Sequence, residues 1–254
     1  MTPELIILLS TIIGLCLGSF TTLLIWRLHN DEKGILLGRS RCVHCKKTLK
    51  FWNLIPLASY VMQAGKCSFC GKKISSLYPL TEITFGVTFL IFASKFYDHP
   101  YFLIIMLMVF FTLVLFFYDV LFMEVDQRIC WPAIIVAFLF AFLQEQNVLY
   151  YLLGGAIGFL FYAIQYYISE KKWVGSGDME LGLFLGLLLG WQYTIGALIV
   201  AYILGMFVAI PLLLSKKVNA KTAVPMGAFL MPATLIFLYA GDKIWSTYIQ
   251  FLGF

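Results

Sequence analysis

Long, uninterrupted apolar runs of about 15–22 residues dominate this chain. Runs of this length cross a bilayer as helices, because a helix satisfies its own backbone hydrogen bonds in lipid. The alternation with period 2 that a membrane β-barrel requires is not seen. Composition agrees, since 61% of the residues are hydrophobic and only 12% are charged, against about 25% charged in soluble domains. We therefore predict an all-α polytopic membrane protein.

The runs predict about eight transmembrane helices. They cover residues 5–26, 79–96, 101–118, 129–143, 148–168, 179–190, 193–214 and 225–240. The sixth run is too short to cross a bilayer alone. One long polar stretch separates the first two runs. We therefore predict a first helix over 1–26, a small polar domain over 27–78 and a helical core over 79–254.

Basic residues predict the orientation, because loops rich in Lys and Arg stay in the cytoplasm. With the N-terminus outside, ten basic residues in 27–78 and six in later loops face the cytoplasm, which is 16 of 18. The polar domain is therefore predicted to be cytoplasmic. This bias explains the charge of the domain without nucleic acid. The expected partner is therefore the lipid bilayer, and no nucleic acid is expected.

Four cysteines in the polar domain form two Cys-x-x-Cys pairs. They are Cys42 with Cys45 and Cys67 with Cys70, and 21 residues separate the pairs. This pattern is typical of a structural zinc ion held by four thiolates. The alternative is a pair of disulfides or a redox motif, which a reducing cytoplasm disfavours. A closed four-thiolate site has no open coordination position, so its predicted role is to fold the domain.

Two aspartates are predicted to lie at the same membrane face. Asp119 follows the third apolar run and Asp178 precedes the sixth. Two close carboxylates share a proton, so that one acts as a base on water while the other donates to a carbonyl. Gly175 and Gly177, just before Asp178, permit close backbone approach. The alternative is that each aspartate is a helix-end or loop carboxylate.

These residues resemble a known family. Gly175-Ser176-Gly177-Asp178 resembles the GxGD signature of intramembrane aspartyl proteases. Gly18-Ser19-Phe20, the two cysteine pairs and Tyr78-Pro79-Leu80-Thr81-Glu82 resemble, in the same order, segments of bacterial type IV prepilin peptidases. The resemblance implies an endopeptidase that removes the basic leader of prepilins or pseudopilins at the cytoplasmic face, with Asp119 and Asp178 as the catalytic pair. It also implies N-methylation of the new N-terminus with S-adenosylmethionine.

The segment after Asp119 departs from the family pattern. Val125 precedes Asp126 where the family commonly has proline. On a helix that continued past Asp119, Asp126 would share the face of Asp119. Asp126 is therefore predicted, with Gly175 and Gly177, to support the active site. The alternative is a loop carboxylate.

Three further charged residues are candidates for substrate binding or methyl transfer. Glu180 stands where the family commonly has a basic residue, and it is a candidate for attracting a basic leader. Glu82 is an acid at the start of a span, and such acids are functional candidates; the alternative is a helix-start acid that interacts with the dipole. Arg27 ends the first span, where its alternative role is an interfacial anchor.

Glycines predict one close helix contact. Glycines recur every four residues in the sixth run, at Gly182, Gly186 and Gly190. The fifth run has a similar group of glycines, Gly154, Gly155 and Gly158. Small residues at this spacing let neighbouring helices approach closely. We therefore predict tight packing around the helix that follows Asp178.

Two rival functions are a protease without methylation and a zinc-containing membrane transporter or scaffold. The chain has no glycine-rich loop of the kind found in Rossmann-like folds, so methylation rests on the family resemblance alone. Secondary transporters are commonly built from internal repeats and bind at the bilayer midplane. This sequence has no evident repeat, and its acids cluster towards one face.

Overall fold

The structure is a computed structural model that describes residues 2–32, 38–144, 147–214 and 225–251, apart from the Leu212 side chain. Lys33, Lys216, Lys217 and Lys221, which the orientation count places in the cytoplasm, lie outside these residues. Within the described ranges the chain is helical and has no strand, which confirms the predicted all-α class. Its elements are α1 (Pro3–His29), a 3-10 turn (Phe51–Leu54), α2 (Ala58–Met62), α3 (Leu77–Phe96), α4 (Phe102–Phe122), α5 (Gln127–Leu143), α6 (Val148–Ile168), α7 (Ser176–Leu189), α8 (Trp191–Leu214) and α9 (Gly227–Phe251).

Each of the eight predicted apolar runs is a helix. Five of them, namely α1, α3, α4, α6 and α8, are long and apolar enough to cross a membrane. The other three are α5 with 17 residues, α7 with 14 and α9, which is long enough but is not among the five. The count of eight spans is therefore not confirmed. The largest boundary difference is α9, which continues to Phe251 rather than ending near 240. Its polar residue Asp242 accepts a hydrogen bond from the Tyr193 hydroxyl, so the charge does not end the helix.

The chain forms two compact units, Met1–Met106 and Leu107–Phe254. In the first unit, α3 packs along α1. Gly18 permits this contact, because a Cβ there would lie 2.8 Å from Cα of Glu82. The Thr22 and Thr81 hydroxyls share a buried hydrogen bond of 2.8 Å between the same helices. The three-part division into 1–26, 27–78 and 79–254 stays a prediction.

In the second unit, α6 and α7 touch through their backbones. A Cβ on Gly158 would lie 2.1 Å from the carbonyl oxygen of Gly182, and one on Gly186 would lie 2.1 Å from that of Gly154. The predicted close packing is confirmed. Helix α7 also packs on α5 and α9, and eight of its 14 residues are buried. The helix that begins beside Asp178 is therefore short and enclosed by other helices.

This contact gives a stability prediction. Gly158→Ala forces a methyl group into the Gly182 carbonyl, and overpacking of this kind costs about 1–3 kcal/mol. Gly205→Ala on α8 is the matched control, because the nearest atom to its Cβ would be 3.4 Å away. In thermal unfolding of the purified protein in detergent, we expect a lower midpoint for Gly158→Ala only. Equal midpoints for the two variants would contradict the backbone contact.

Candidate functional site

The four predicted cysteine ligands come together in the first unit. The Sγ atoms of Cys42, Cys45, Cys67 and Cys70 all lie within 4.8 Å of one another, and none is in a disulfide. Four thiolates around a zinc ion, each about 2.3 Å from it, form a tetrahedron of a size similar to that of this cysteine cluster. The cluster could therefore hold a metal ion with small side-chain adjustments.

The two cysteine pairs have the same local conformation. The backbone N–H groups of Cys42 and Cys67 each donate to the carbonyl oxygen five residues ahead, at 3.0 and 2.8 Å. The residue four places after each has a positive φ, 57° at Lys46 and 68° at Gly71, and an isolated antiparallel bridge closes each turn. The backbone N–H of Cys45 is the largest of the contributions that lower the pKa of the Cys42 thiol to about 6, which favours the metal-binding thiolate.

Glu82 and Arg27 are buried in the same unit and hold parts of the polar domain. Glu82 Oε2 accepts a hydrogen bond from the Leu57 N–H at 2.8 Å, just before α2. Arg27 Nη2 donates to the carbonyl oxygens of Gly38 at 3.0 Å and Arg39 at 3.1 Å, on the chain that leads to the first cysteine pair. Both contacts position the backbone. The roles of Glu82 and Arg27 in substrate binding or methyl transfer stay predictions.

Asp119 and Asp178 lie on different helices of the second unit. Asp119 is buried in the last turn of α4, and Asp178 is in the first turn of α7. Each uses Oδ2 to accept a backbone N–H at 2.8 Å, from Ala228 for Asp119 and from Gly175 for Asp178. The two carboxylates are close enough to interact electrostatically. The fold therefore brings together two acids that are 59 positions apart in the sequence.

The start of α9 completes this arrangement, although the sequence analysis did not single it out. A Cβ on Gly227 would lie 2.9 Å from Asp119 Oδ2 and 3.0 Å from Leu181 Cδ1. Helices α4, α7 and α9 therefore meet at a point where a glycine is required. The first N–H groups of α9 carry partial positive charge, which stabilises a nearby carboxylate. The available signal is Pro225-Met226-Gly227, at the start of the last apolar run.

Asp126 is not on an extension of α4. That helix ends at Phe122, and Met123 follows with a φ of 54°. Asp126 instead caps α5 by accepting the Arg128 N–H at 2.8 Å, and the Arg128 guanidinium pairs with it at 2.7 Å. Although burial opposes ionisation, these bonds hold the pKa of Asp126 below its usual value. Asp126 therefore does not share a helical face with Asp119, and that expectation is wrong. A supporting role for Asp126 stays a prediction.

The two glycines before Asp178 meet different demands. A Cβ on Gly177 would lie 2.5 Å from Cβ of Val125, so this glycine lets the segment before α5 pack against the start of α7. A Cβ on Gly175 would have no atom nearer than Asp178 Oδ2 at 3.7 Å. Gly175 therefore acts through its N–H, whereas Gly177 acts through its missing side chain.

Glu180 connects α7 to the start of α5. Its Oε1 accepts a hydrogen bond from Gln127 Nε2 at 3.2 Å. Its second carboxylate oxygen, Oε2, is buried and has no hydrogen-bond partner among the residues that the structure describes. The contact with Gln127 fixes an acidic side chain two residues after Asp178, and its role in binding a leader stays a prediction.

Known proteins are similar to both parts of the chain. The family model described as Bacterial Peptidase A24 N-terminal domain matches residues 12–96, and the one described as Type IV leader peptidase family matches residues 105–210. A prepilin leader peptidase/N-methyltransferase of Pseudomonas putida is 27% identical over 100% of this chain and 97% of its own length. Its namesake in Bacillus subtilis is 29% identical over 94% of this chain and 96% of its own. A type 4 prepilin-like proteins leader peptide-processing enzyme of Escherichia coli is 26% identical over 93% and 95%. No solved structure matches the chain.

The cysteine cluster predicts a defined metal content. Elemental analysis of gently purified protein should find about one divalent metal ion per chain, since four neighbouring thiolates make one closed site. Cys67→Ser should lose most of this metal. Cys16→Ser is the matched control, because Cys16 is outside the cluster. A metal-free wild-type protein, or equal loss in both variants, would reject the site.

Proposed function

The chain belongs to the type IV leader peptidase family, and we propose that Asp119 and Asp178 carry out its peptidase reaction. The enzyme is a prepilin peptidase that removes the leader of prepilins. The observation that carries the residue assignment is the meeting of α4, α7 and α9, where two carboxylates from distant parts of the chain interact. Each has one oxygen held by a backbone N–H.

The pair supports general acid–base hydrolysis. Two close carboxylates share one proton, because both cannot ionise cheaply. The ionised carboxylate takes a proton from water, and the water oxygen attacks the scissile carbonyl carbon. The protonated carboxyl donates its proton to the carbonyl oxygen. When the C–N bond breaks, the leaving nitrogen takes a proton from the pair, and a hydroxyl of the tetrahedral intermediate gives one back as it becomes the new carboxyl group, so the pair again holds one proton. Fixed backbone donors keep both groups aligned for these transfers.

Charge complementarity supports the binding of a basic leader at this site. A prepilin leader is basic, so acids near the catalytic pair favour its binding and suppress acidic peptides. Glu180 is the acid that we assign to this contact, with Gln127 holding its carboxylate in place. Gly175, Gly177 and Asp126 support the site through the packing and capping contacts given above.

The chain is an inner-membrane multi-pass protein, as its apolar helices and its relatives indicate. We assign the N-terminus to the outside and the polar domain, with its cysteines, to the cytoplasm, because this choice places most basic residues inside. The four thiolates favour zinc. We assign to that ion the folding of the 27–78 domain, with the 79–254 helices as the protease core.

A second activity, N-methylation of the new N-terminus, accompanies cleavage in this proposal. Relatives that carry both activities in their names match nearly the whole chain. S-adenosylmethionine, when bound, supplies an electrophilic methyl group on a sulfonium. We assign to Glu82 the binding of the methyl donor. We assign to Arg27 the positioning of the polar domain next to that donor.

Loss of either aspartate should stop cleavage. Asp119→Asn and Asp178→Asn remove a proton acceptor while keeping the size of the side chain, and general acid–base groups contribute about 10²–10⁴-fold. Mass spectrometry of a prepilin with a basic leader, incubated with enzyme in detergent, measures the loss. Asp98→Asn, at an exposed position, should cleave normally. Wild-type rates for either of the first two variants would overturn the two-aspartate assignment.

The two glycines should differ in their tolerance of a methyl group. Gly177→Ala places a Cβ against Val125 and shifts the first turn of α7, where Asp178 lies. We expect it to lower cleavage by about tenfold or more, the effect of roughly 1.4 kcal/mol on the transition state. Gly175→Ala keeps its N–H and has room, so it should stay near the wild-type rate. The reverse order in the same cleavage assay would contradict this geometry.

A further inference from the structure

The first unit contains a cavity of about 840 Å³ that the peptidase reaction does not use. Its walls come from α1, the polar domain and the start of α3, and they include Cys42 and Cys67 of the metal cluster. Pockets for small molecules and cofactors have volumes of about 300–1,000 Å³. The cavity is therefore large enough for a nucleoside-sized ligand, and the folded cysteine turns form part of it.

Among the described residues that line the cavity, the one acid is Glu82, and it stands with apolar, uncharged polar, aromatic and basic side chains. Glu82 is 6% exposed and lines the cavity, and Gly18 of α1 packs directly on its Cα. Its Oε2 also holds the Leu57 N–H at 2.8 Å, so the carboxylate is fixed rather than free to turn away. A buried carboxylate favours a cationic ligand and disfavours a polyphosphate.

Other residues that line the cavity can bind an aromatic base and a carboxylate of a cationic ligand. Phe20, Tyr60 and Tyr78 offer aromatic faces for a flat base and for a cation. Arg41 and Lys73 can pair with a carboxylate. S-adenosylmethionine combines these features: an adenine, an amino-acid carboxylate and a positively charged sulfonium. The residues present therefore fit this molecule.

We propose that the cavity in the first unit is the S-adenosylmethionine site and that Glu82 balances the sulfonium charge. Arg41 and Lys73 serve the carboxylate of the ligand, and the aromatic side chains serve its adenine. This inference rests on the methylation activity in the proposed function and adds to it a location and a charge-recognition residue. The site is also separate from the aspartate pair, since every residue that lines it belongs to the first unit.

Direct binding to the full-length protein in detergent tests the site. Isothermal titration with S-adenosylmethionine, and with S-adenosylhomocysteine, whose sulfur is neutral, separates charge recognition from shape. Glu82→Gln keeps an oxygen for the Leu57 N–H but removes the charge. We expect it to weaken S-adenosylmethionine binding roughly 10- to 100-fold and to change S-adenosylhomocysteine binding much less. Glu4→Gln, an exposed acid on α1 outside the cavity, is the matched control and should bind both ligands as wild type does.

A second cavity variant and a measurement of metal content distinguish loss of the binding site from loss of the folded domain. Tyr60→Leu removes an aromatic face and should weaken both ligands, whereas Asp178→Asn should lose cleavage and keep S-adenosylmethionine binding. Unchanged metal content in each variant verifies that the polar domain is folded. If wild type binds S-adenosylmethionine and both cavity variants bind equally well, the location is wrong and the proposed methylation stands. If wild type does not bind it, the location and the methylation both fall, while cleavage is unaffected.

Discussion

The apolar runs of this chain must form their backbone hydrogen bonds internally, because the interior of a lipid bilayer contains no water to bind their N–H and C=O groups. Helices are the solution, and they leave unpaired N–H groups only at their first turns. In the second unit two acids accept N–H groups at the beginnings of helices. Asp119 accepts an N–H from the start of α9, and Asp178 accepts one from the residue before α7. The constraint that forces the helices therefore also supplies fixed donors for two carboxylates.

Close contact between helices is the second consequence. Apolar side chains gain little by leaving lipid for each other, so helices associate where small residues let backbones touch. Gly158 and Gly182 do this for α6 and α7, and Gly227 does it where α9 meets Asp119. In the first unit, Gly18 brings α1 against Glu82 in the same way. At three of these places the glycine lies beside an acid or on the helix that carries one, so packing and chemistry depend on the same small residues.

The sequence predicts the helices, the cysteine cluster and the glycine contact well, because each has a local signature. A run of apolar residues, a Cys-x-x-Cys pair and a four-residue glycine spacing can all be recognised without a partner. Gly227 and Ala228 were missed because their importance comes from Asp119, more than 100 positions earlier in the chain. The prediction that Asp126 shares the helical face of Asp119 is wrong because the chain turns at Met123, which has a positive φ. Hydrophobic periodicity does not predict a single residue with a positive φ. The length of α9 is underestimated because Asp242 and Lys243 end the apolar run without ending the helix, which continues to Phe251.

Two acids of the second unit, Asp119 and Asp126, have partners of different charge. Asp126 faces the guanidinium of Arg128, which holds it ionised as a helix cap. Asp119 instead has a neutral N–H on one oxygen and a second carboxylate nearby. A neutral donor orients a carboxylate without fixing its charge, and a neighbouring acid favours the sharing of one proton. The partners also come from different distances along the chain, since Arg128 is two residues after Asp126, whereas Ala228 is 109 positions after Asp119. The difference in chemistry arises from whether the fold supplies a guanidinium or a helix N-terminus.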